Sequence, residues 1–487
     1  MSAIIDHQNK LKQISELKVN FTERITSPDI KVPPPGINSR IFLELMEHSV
    51  GKTNYAGLYG ITLVSGDGYY VKDADGNCYI DFLAGASANI LGYNSGLERV
   101  YAKQAQKIQH ICLAYSVSIP AILLAEYLIS ITPGDFKKKV IFGMSGSDAC
   151  GGAIEAMRKF TRRYKVISFK CDWHGSSGLS QPASGFDSLN RGIYEPEKNY
   201  FIHLDYPETE EDAESVLDAV EALFRYEDVG GVLFEAIQGD AGVIIPPEGF
   251  IKKMAGIVHA HGGLVMVDEV QSGMGRTGKW WAIEHEDTVP DLLMIGKGFS
   301  AGYAPISAVV GRAEVLDSLS SGQELFTYEA HAPSTAVALD VLKQISDNHM
   351  MKHVNSIGNL ILHELENLKE RYPTVIRDIR GRGLMIGMEI DTYQYNRDLP
   401  AGAIFATRGV EKGIYFGLFG CTPDPVGKHS EGYNRKQNVV RIEPPFIIDE
   451  NAVNHMVKVA EEIAKEMENG TIPNCTIENV KKYTIGI

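Results

Sequence analysis

Asp268 and Lys297 are the two side chains whose types and positions point most directly to chemistry. Each follows a short apolar run: Leu264-Val265-Met266-Val267 ends in Asp268-Glu269, and Leu292-Leu293-Met294-Ile295 ends in Gly296-Lys297-Gly298. Short bounded apolar runs read as strands buried on both faces of a parallel sheet. Ligands of such sheets bind outside the carboxyl ends of the strands. One strand then delivers a carboxylate and another a lysine to the same crevice. That pair suits pyridoxal phosphate: an amine condenses with the cofactor aldehyde, and a carboxylate keeps the pyridine nitrogen protonated, so that the ring serves as an electron sink.

Plainer readings compete at each position. Lys297 could be an ordinary surface lysine. Between two glycines and after four apolar residues, however, it must be desolvated or partnered, and desolvation favours the neutral amine that attacks an aldehyde. Asp268 could be a Walker-B acid, but no valid phosphate loop precedes it; a strand-end acid capping its own loop stays open. The following loop, Val270 to Gly278, mimics two phosphate motifs. Gly273, Gly275 and Gly278 fit G-x-G-x-x-G. Gly273 to Lys279 fits most of G-x-x-x-x-G-K, with Trp280 where Ser or Thr should ligate magnesium. Both motifs need glycines directly between strand and helix, whereas here two acids intervene and would repel a pyrophosphate.

Four further segments lie where predicted strands end. Ser145-Gly146-Ser147-Asp148 sits at a strand-to-helix turn and reads either as a helix cap or as a phosphate site on the positive end of the helix dipole. Trp173-His174-Gly175 offers an aromatic that is either core or a platform for a planar ring. Glu235 and Asp240 flank Gln238-Gly239. Arg441, inside Val439-Val440-Arg441-Ile442, needs a carboxylate partner, structural or substrate.

The chain has 487 residues, enough for two or three domains with full cores. A net charge of −15 argues against nucleic acid or anionic membrane as partner. No run reaches the ~18 to 20 apolar residues of a membrane span; the longest, Ala121 to Ile129, is broken by Glu126. The N-terminus lacks a signal peptide's apolar core. Six cysteines (Cys78, Cys112, Cys150, Cys171, Cys421 and Cys475) show no CxxC spacing, which suggests a reduced, cytoplasmic protein without a zinc site.

A polar, helical arm is expected up to about residue 35, where Pro33-Pro34-Pro35-Gly36 marks the start of the folded body. Thr62–Val71 and Cys78–Phe82 read as a hairpin turning at Asp75-Gly76-Asn77. From about residue 120, strands at 140–142, 166–169, 231–234, 264–267, 292–295 and 306–310 alternate with helices at 149–163, 210–226 and 250–261. That alternation implies an α/β fold, a mostly parallel sheet between helices. Beyond about residue 335, helices at 334–348, 353–371 and 451–469 with strands at 383–390 and 439–445 suggest a smaller α+β domain. Cys421–Asn438 reads as a surface loop. The expected division is 1–75 (arm and a segment joining the small domain), 76–335 (large, cofactor-binding) and 336–487 (small).

From about Pro35 to Asn469 the chain resembles the class III (ω-type, subgroup II) aminotransferases, pyridoxal phosphate enzymes of fold type I. Its most specific part is Val267–Gly278 with the Lys297 segment. The resemblance implies that Asp268 pairs with the pyridine nitrogen, that Gln271 lies near the phenolic oxygen, and that Lys297 is the Schiff-base lysine. It makes Ser145-Gly146-Ser147 the phosphate cup, Trp173 the ring-stacking aromatic and His174 part of the same segment, with Glu235 also at the cofactor. Thr327, in Phe326-Thr327-Tyr328, matches a phosphate-binding threonine given by the neighbouring subunit, which implies a homodimer or a dimer of dimers. Arg441 matches the family's switch arginine and Asp240 its gate acid. Departures occur at Met144, at Tyr93 and over Glu329-Ala330-His331-Ala332. In place of Gln-Gly-Glu-Gly-Gly stands Gln238-Gly239-Asp240-Ala241-Gly242, which is similar to the amino-acid racemases and isoleucine 2-epimerase of this fold.

Two activities follow from the resemblance. The first is an aminotransferase in which Lys297 moves a proton from Cα to the cofactor and an amino group passes from an amino acid or amine to a 2-keto acid. The second is a racemase or 2-epimerase in which Lys297 serves one face of Cα and Asp240 the other.

Overall fold

The computed structural model describes residues 24–51, 59–185, 199–391, 393–418 and 438–484. The arm expected at the N-terminus is described only from residue 24, and nearly all of the loop expected at Cys421–Asn438 lies outside the described residues.

A seven-stranded sheet carries the fold. Its order is Lys138–Gly143, Ser307–Arg312, Leu292–Ile295, Leu264–Asp268, Val229–Glu235, Lys165–Phe169, Phe201–Leu204. The last five are mutually parallel, while Ser307–Arg312 runs against both its neighbours. Every residue of Val229–Glu235, Leu264–Asp268 and Leu292–Ile295 is buried. The apolar runs do not alternate with polar residues because both faces are covered. Val265, Val267, Leu293 and Ile295 join one apolar cluster, with Phe250, Met254 and Val258 of the helix Phe250–Ala260. The intervening Leu264, Met266, Leu292 and Met294 join another, with Ala149, Ala153 and Met157 of the helix Gly146–Thr161. Successive side chains thus feed opposite layers. Each fully buried aliphatic contributes roughly 1.5–3 kcal/mol.

The register of this sheet positions the chemistry. Glu235 lies opposite Asp268, and Asp268 opposite Met294. The Glu235 and Asp268 strand ends therefore sit side by side, with Lys297 three residues past Met294.

Two four-stranded sheets flank the centre. One runs Leu63–Asp67, Tyr70–Asp73, Cys78–Asp81, Ile414–Tyr415. Thr62–Val71, expected as one strand, is folded at Gly68 (φ 58°) into two, and Tyr70–Asp73 forms the expected hairpin with Cys78–Asp81. Asp73 organises that turn: its Oδ1 accepts the N–H groups of Asp75 and Asn77 at 2.9 and 2.8 Å. Ordered contacts begin before the proline run, since Asp29 pairs with Cys78. The other sheet is Ile376–Arg382, Met385–Ile390, Val439–Ile442, Gly417–Leu418, wholly antiparallel. Its strand Ile376–Arg382 and the helices Ile119–Ile131 and Ala401–Glu411 add to the elements expected from sequence. Helix Glu450–Glu468 opens on Asp449, whose side chain accepts the Ala452 N–H.

Candidate active site

Lys297 follows the strand Leu292–Ile295 and begins a 3-10 turn, Lys297–Ser300. Its φ of 42° is a left-handed conformation that costs a residue with a Cβ roughly 1 kcal/mol or more, so the surrounding structure holds it there. Its Nζ donates to Gln271 Oε1 at 2.6 Å, and Gln271 Nε2 donates to Glu443 Oε1 at 2.8 Å. An ammonium can only donate and a carboxylate only accept, so the two partners fix which way the amide points. Burial lowers the Lys297 pKa, against the pull of the nearby Asp240 charge.

Asp268 lies at the next strand end, 4% exposed. Its Oδ2 meets His174 Nδ1 at 2.9 Å and the Cys150 thiol at 3.2 Å. Its Oδ1 accepts the Val270 N–H at 2.9 Å. Cys150, His174 and Asp268 present ligand-type atoms within 4.8 Å of one another. Burial and the adjacent Asp268 push the Cys150 thiol well up, so it is a neutral hydrogen-bond donor, and the three form a hydrogen-bonded cluster.

Ser145 caps the helix Gly146–Thr161. Its Oγ accepts the Asp148 N–H at 3.2 Å, and Asp148 Oδ2 accepts the Ser145 and Met144 N–H groups, each at 3.0 Å. The capping reading therefore holds, and the helix start it secures is directed at the Lys297 turn. A Cβ on Gly146 would stand 3.0 Å from Val270 Cγ1, and one on Gly296 would stand 3.1 Å from that atom and 3.6 Å from Gly146 Cα. Ser147 Oγ accepts the Ser176 N–H at 3.2 Å. A Cβ on Gly175 (φ 131°) would collide with that hydroxyl. The cup, the loop after Asp268, the Lys297 turn and the segment after His174 thus meet in one place.

Trp173 is 38% exposed, so it is not a core residue of this chain. Its backbone N–H donates to Glu235 Oε1 at 2.8 Å, while Glu235 Oε2 accepts the Gly239 N–H at 2.9 Å. Glu235 therefore joins the ring-side segment to the loop carrying Asp240. Arg441, 4% exposed, pairs through Nη2 with Asp240 Oδ1 and stands 3.8 Å from Glu443 Oε2. Burial opposes its charge, but Asp240 and Glu443 outweigh that and raise its pKa. Thr327 is exposed on the surface.

Several participants went unread in the sequence: Cys150, Asp172, Ser87 and Glu443. Glu443 is fully buried, takes the Ser87 hydroxyl at 2.5 Å and orients Gln271. A signal existed, since Glu443 follows Arg441 by two residues and so shares its face of an extended segment. Among the departures, Tyr93 donates to Asp81 Oδ2 at 2.8 Å and receives Asn89 Nδ2 at 3.0 Å. His331, with Tyr328, packs around His110.

The donor set fits pyridoxal phosphate: a desolvated amine, a buried carboxylate with accepting capacity left on one oxygen, a secured helix N-terminus lined by glycines, and an accessible aromatic. Comparison with known proteins agrees. The family model for class-III aminotransferases matches residues 52–463. The chain is 33% identical over 467 residues to an alanine/serine racemase of Pyrococcus horikoshii, covering 91% of this chain and 94% of the relative. It is 33% identical over 333 residues to an acetylornithine aminotransferase of Methanopyrus kandleri, covering 68% and 81%. The crystal structure of the ornithine aminotransferase of Toxoplasma gondii superposes with a TM-score of 0.75 at 24% identity, over 89% of this chain and 96% of that one. The fold is therefore fold type I, as expected.

Proposed function

Because the chain belongs to the class III aminotransferase family, whose cofactor is pyridoxal phosphate, we propose that it racemises or epimerises an amino acid at Cα. The observation that carries this reading is Asp240, an acid held by Arg441 in the electrostatic neighbourhood of the Lys297 amine. The bound cofactor supplies the electron sink that stabilises charge at Cα. Lys297 Nζ takes or returns the proton on one face of Cα, a task that the lowering of its pKa by burial favours. Arg441 binds the substrate carboxylate, which replaces Asp240 as its partner. Asp240, so released, serves the other face. Asp268 would hold the proton on the pyridine nitrogen and Ser145-Gly146-Ser147 would hold the phosphate, while Gln271 orients Lys297 against Glu443. Trp173 and His174 support the ring.

Aminotransfer was the first expectation, and it stays as a second reading. The family description and the Methanopyrus kandleri relative favour it. Racemisation moves ahead because similarity to the racemase extends over more of the chain and because the segment Gln238-Gly239-Asp240-Ala241-Gly242 resembles that branch. Chiral chromatography of single-enantiomer alanine, isoleucine or lysine, incubated with the enzyme and no keto acid, tests it. Many turnovers to the opposite configuration are expected. At most one equivalent of keto acid, with turnover restored by added pyruvate or 2-oxoglutarate, would overturn racemisation in favour of transfer.

The working unit is a homodimer in this reading. Ile119, Ile122 and Leu123 of the helix Ile119–Ile131 are 72%, 48% and 52% exposed, and Tyr115 and Val117 beside them 89% and 71%. Such a contiguous apolar surface marks an interface. Thr327, exposed here, then reaches the partner's phosphate cup. No helix among the described residues is long and apolar enough to cross a membrane.

A further inference from the structure

Asp172 is a fully buried carboxylate that the proposed reaction does not use. It lies just before the ring-side segment, after Cys171, whose φ of 68° turns the chain inward. Its Oδ1 accepts from Gln238 Nε2 at 2.7 Å, and its Oδ2 faces His174 Nε2 at 3.4 Å. His174 is the bridge, for its other ring nitrogen meets Asp268 Oδ2 at 2.9 Å. The imidazole thus lies between two carboxylates, and both side chains of the Asp172–His174 pair are wholly withdrawn from solvent.

A neutral imidazole has one bare nitrogen. Between two carboxylates that nitrogen would face a negative oxygen with no proton to share. The clamp is satisfied only when the Asp172–His174 pair carries one proton more than neutral His174 opposite a bare Asp172 carboxylate. Burial disfavours charge on His174, but the carboxylates of Asp172 and Asp268 on either side of it hold its pKa well above the usual value. Burial likewise raises Asp172 against the pull of His174 and Gln238. The groups facing the clamp from neighbouring elements add no competing cation at contact. Cys150 offers a neutral thiol. Tyr206 donates its hydroxyl to the Glu235 carbonyl at 3.0 Å. Glu235 is pushed well up by burial and by the charges of Asp172 and Asp268. Lys297 is engaged with Gln271, and Lys170 pairs with Asp205 at 2.9 Å.

Lone-pair counting says what the extra proton does. Asp268 Oδ2 has both lone pairs taken, by His174 and Cys150. Oδ1 has one taken by the Val270 N–H, so one is left to accept a further proton donor. A cationic or proton-rich partner on Oδ2 draws charge from the carboxylate and weakens its hold on a proton shared at Oδ1.

We propose that Asp172 is a positioning residue that, through His174, sets how firmly Asp268 keeps the cofactor's pyridine nitrogen protonated. This rests on the reading that Asp268 faces that nitrogen. Wild type is tuned toward a weaker hold, which moderates the electron sink. Asp172→Asn keeps shape, keeps an oxygen for Gln238, and offers His174 Nε2 an N–H in place of a charge. His174 then becomes neutral while still donating to Asp268, and Asp268 becomes the stronger base.

The test is the nitrogen NMR shift of ring-labelled pyridoxal phosphate bound to the full-length enzyme, followed from pH 5 to 10. In Asp172→Asn the nitrogen should stay protonated to higher pH than in wild type, by about one unit, equivalent to ~1.4 kcal/mol. His174→Gln, which cuts the bridge, should raise it similarly, and the double variant should add nothing further. Should Asp172→Asn fail to fold, His174→Gln carries the test by itself. A titration unmoved or moved downward in either foldable variant would overturn the proposal. Asp268→Asn separates the two levels: it should deprotonate the nitrogen outright, and if it does not, the assignment of Asp268 fails and the proposal with it.

Discussion

The floor of the site and its mouth are built on different principles. The floor is one sheet: adjacent parallel strands end in Glu235 and Asp268, and the third ends just before Lys297, so register alone fixes their spacing. Its polar groups are buried and held by short-range bonds to Val270, Trp173 and Gly239. The mouth is assembled from segments far apart in the chain. Asp240 and Arg441 are 201 residues apart, on a loop after one sheet and a strand of another. A floor fixed by register suits chemistry that is common to many reactions. A mouth closed by an ion pair between distant segments suits the choice of substrate and, in the proposed reaction, of what happens to the proton.

Substitutions can break or sharpen that contrast. Lys297→Ala, in the floor, should lower turnover by on the order of 10³-fold or more for every substrate and leave cofactor bound without a borohydride-reducible bond. Normal turnover in that variant would erase the distinction at its root. Asp240→Asn, in the mouth, should depress racemisation by roughly 10²-fold. Proton exchange at Cα into deuterated solvent from the Lys297 side should survive in it, so equal loss of both activities, read by NMR, would place Asp240 with the floor instead. Arg441→Lys keeps the charge but not the planar fork, and should raise KM for amino acids by about tenfold while changing kcat less. A purely kcat effect would argue against carboxylate binding there.

The smallest effect concerns the floor's foundation. Burial lifts the Glu269 pKa to about 7, against its bonds with Ser272, Ile283 and Ala282. The folded chain therefore keeps a proton that the unfolded chain releases near 4.3. A raised acid contributes stability that is full below the unfolded value and is lost as pH rises through the folded one. Melting temperature should fall by roughly a few degrees between pH 5 and 8. Glu269→Gln should flatten part of that slope; Glu324, also raised to about 7 by burial, leaves a remainder.

The same contrast explains what could be read from sequence. Leu264–Asp268 and Leu292–Ile295 announce themselves because strands covered on both faces are uninterrupted apolar runs, and a charge at the end of one is conspicuous. Asp240 at a strand end and Arg441 inside an apolar run are each conspicuous, but nothing local says that they meet. Asp172, Cys150 and Glu443 were silent, since each becomes informative only through a contact made across the fold, with His174, Asp268 and Gln271. The expectation of one strand over Thr62–Val71 passes over Ser65-Gly66-Asp67-Gly68, a cluster of turn residues, and the chain folds back at Gly68.

Glu235 has a consequence of another kind. One carboxylate answers to Trp173 with one oxygen and to Gly239 with the other. Neither segment can shift, gain a residue or change its path without pulling on the other's anchor. Among descendants of this sequence, insertions near Trp173 and near Gly239 should therefore arise together or not at all, and a lineage that loses the acid should be free to remodel both.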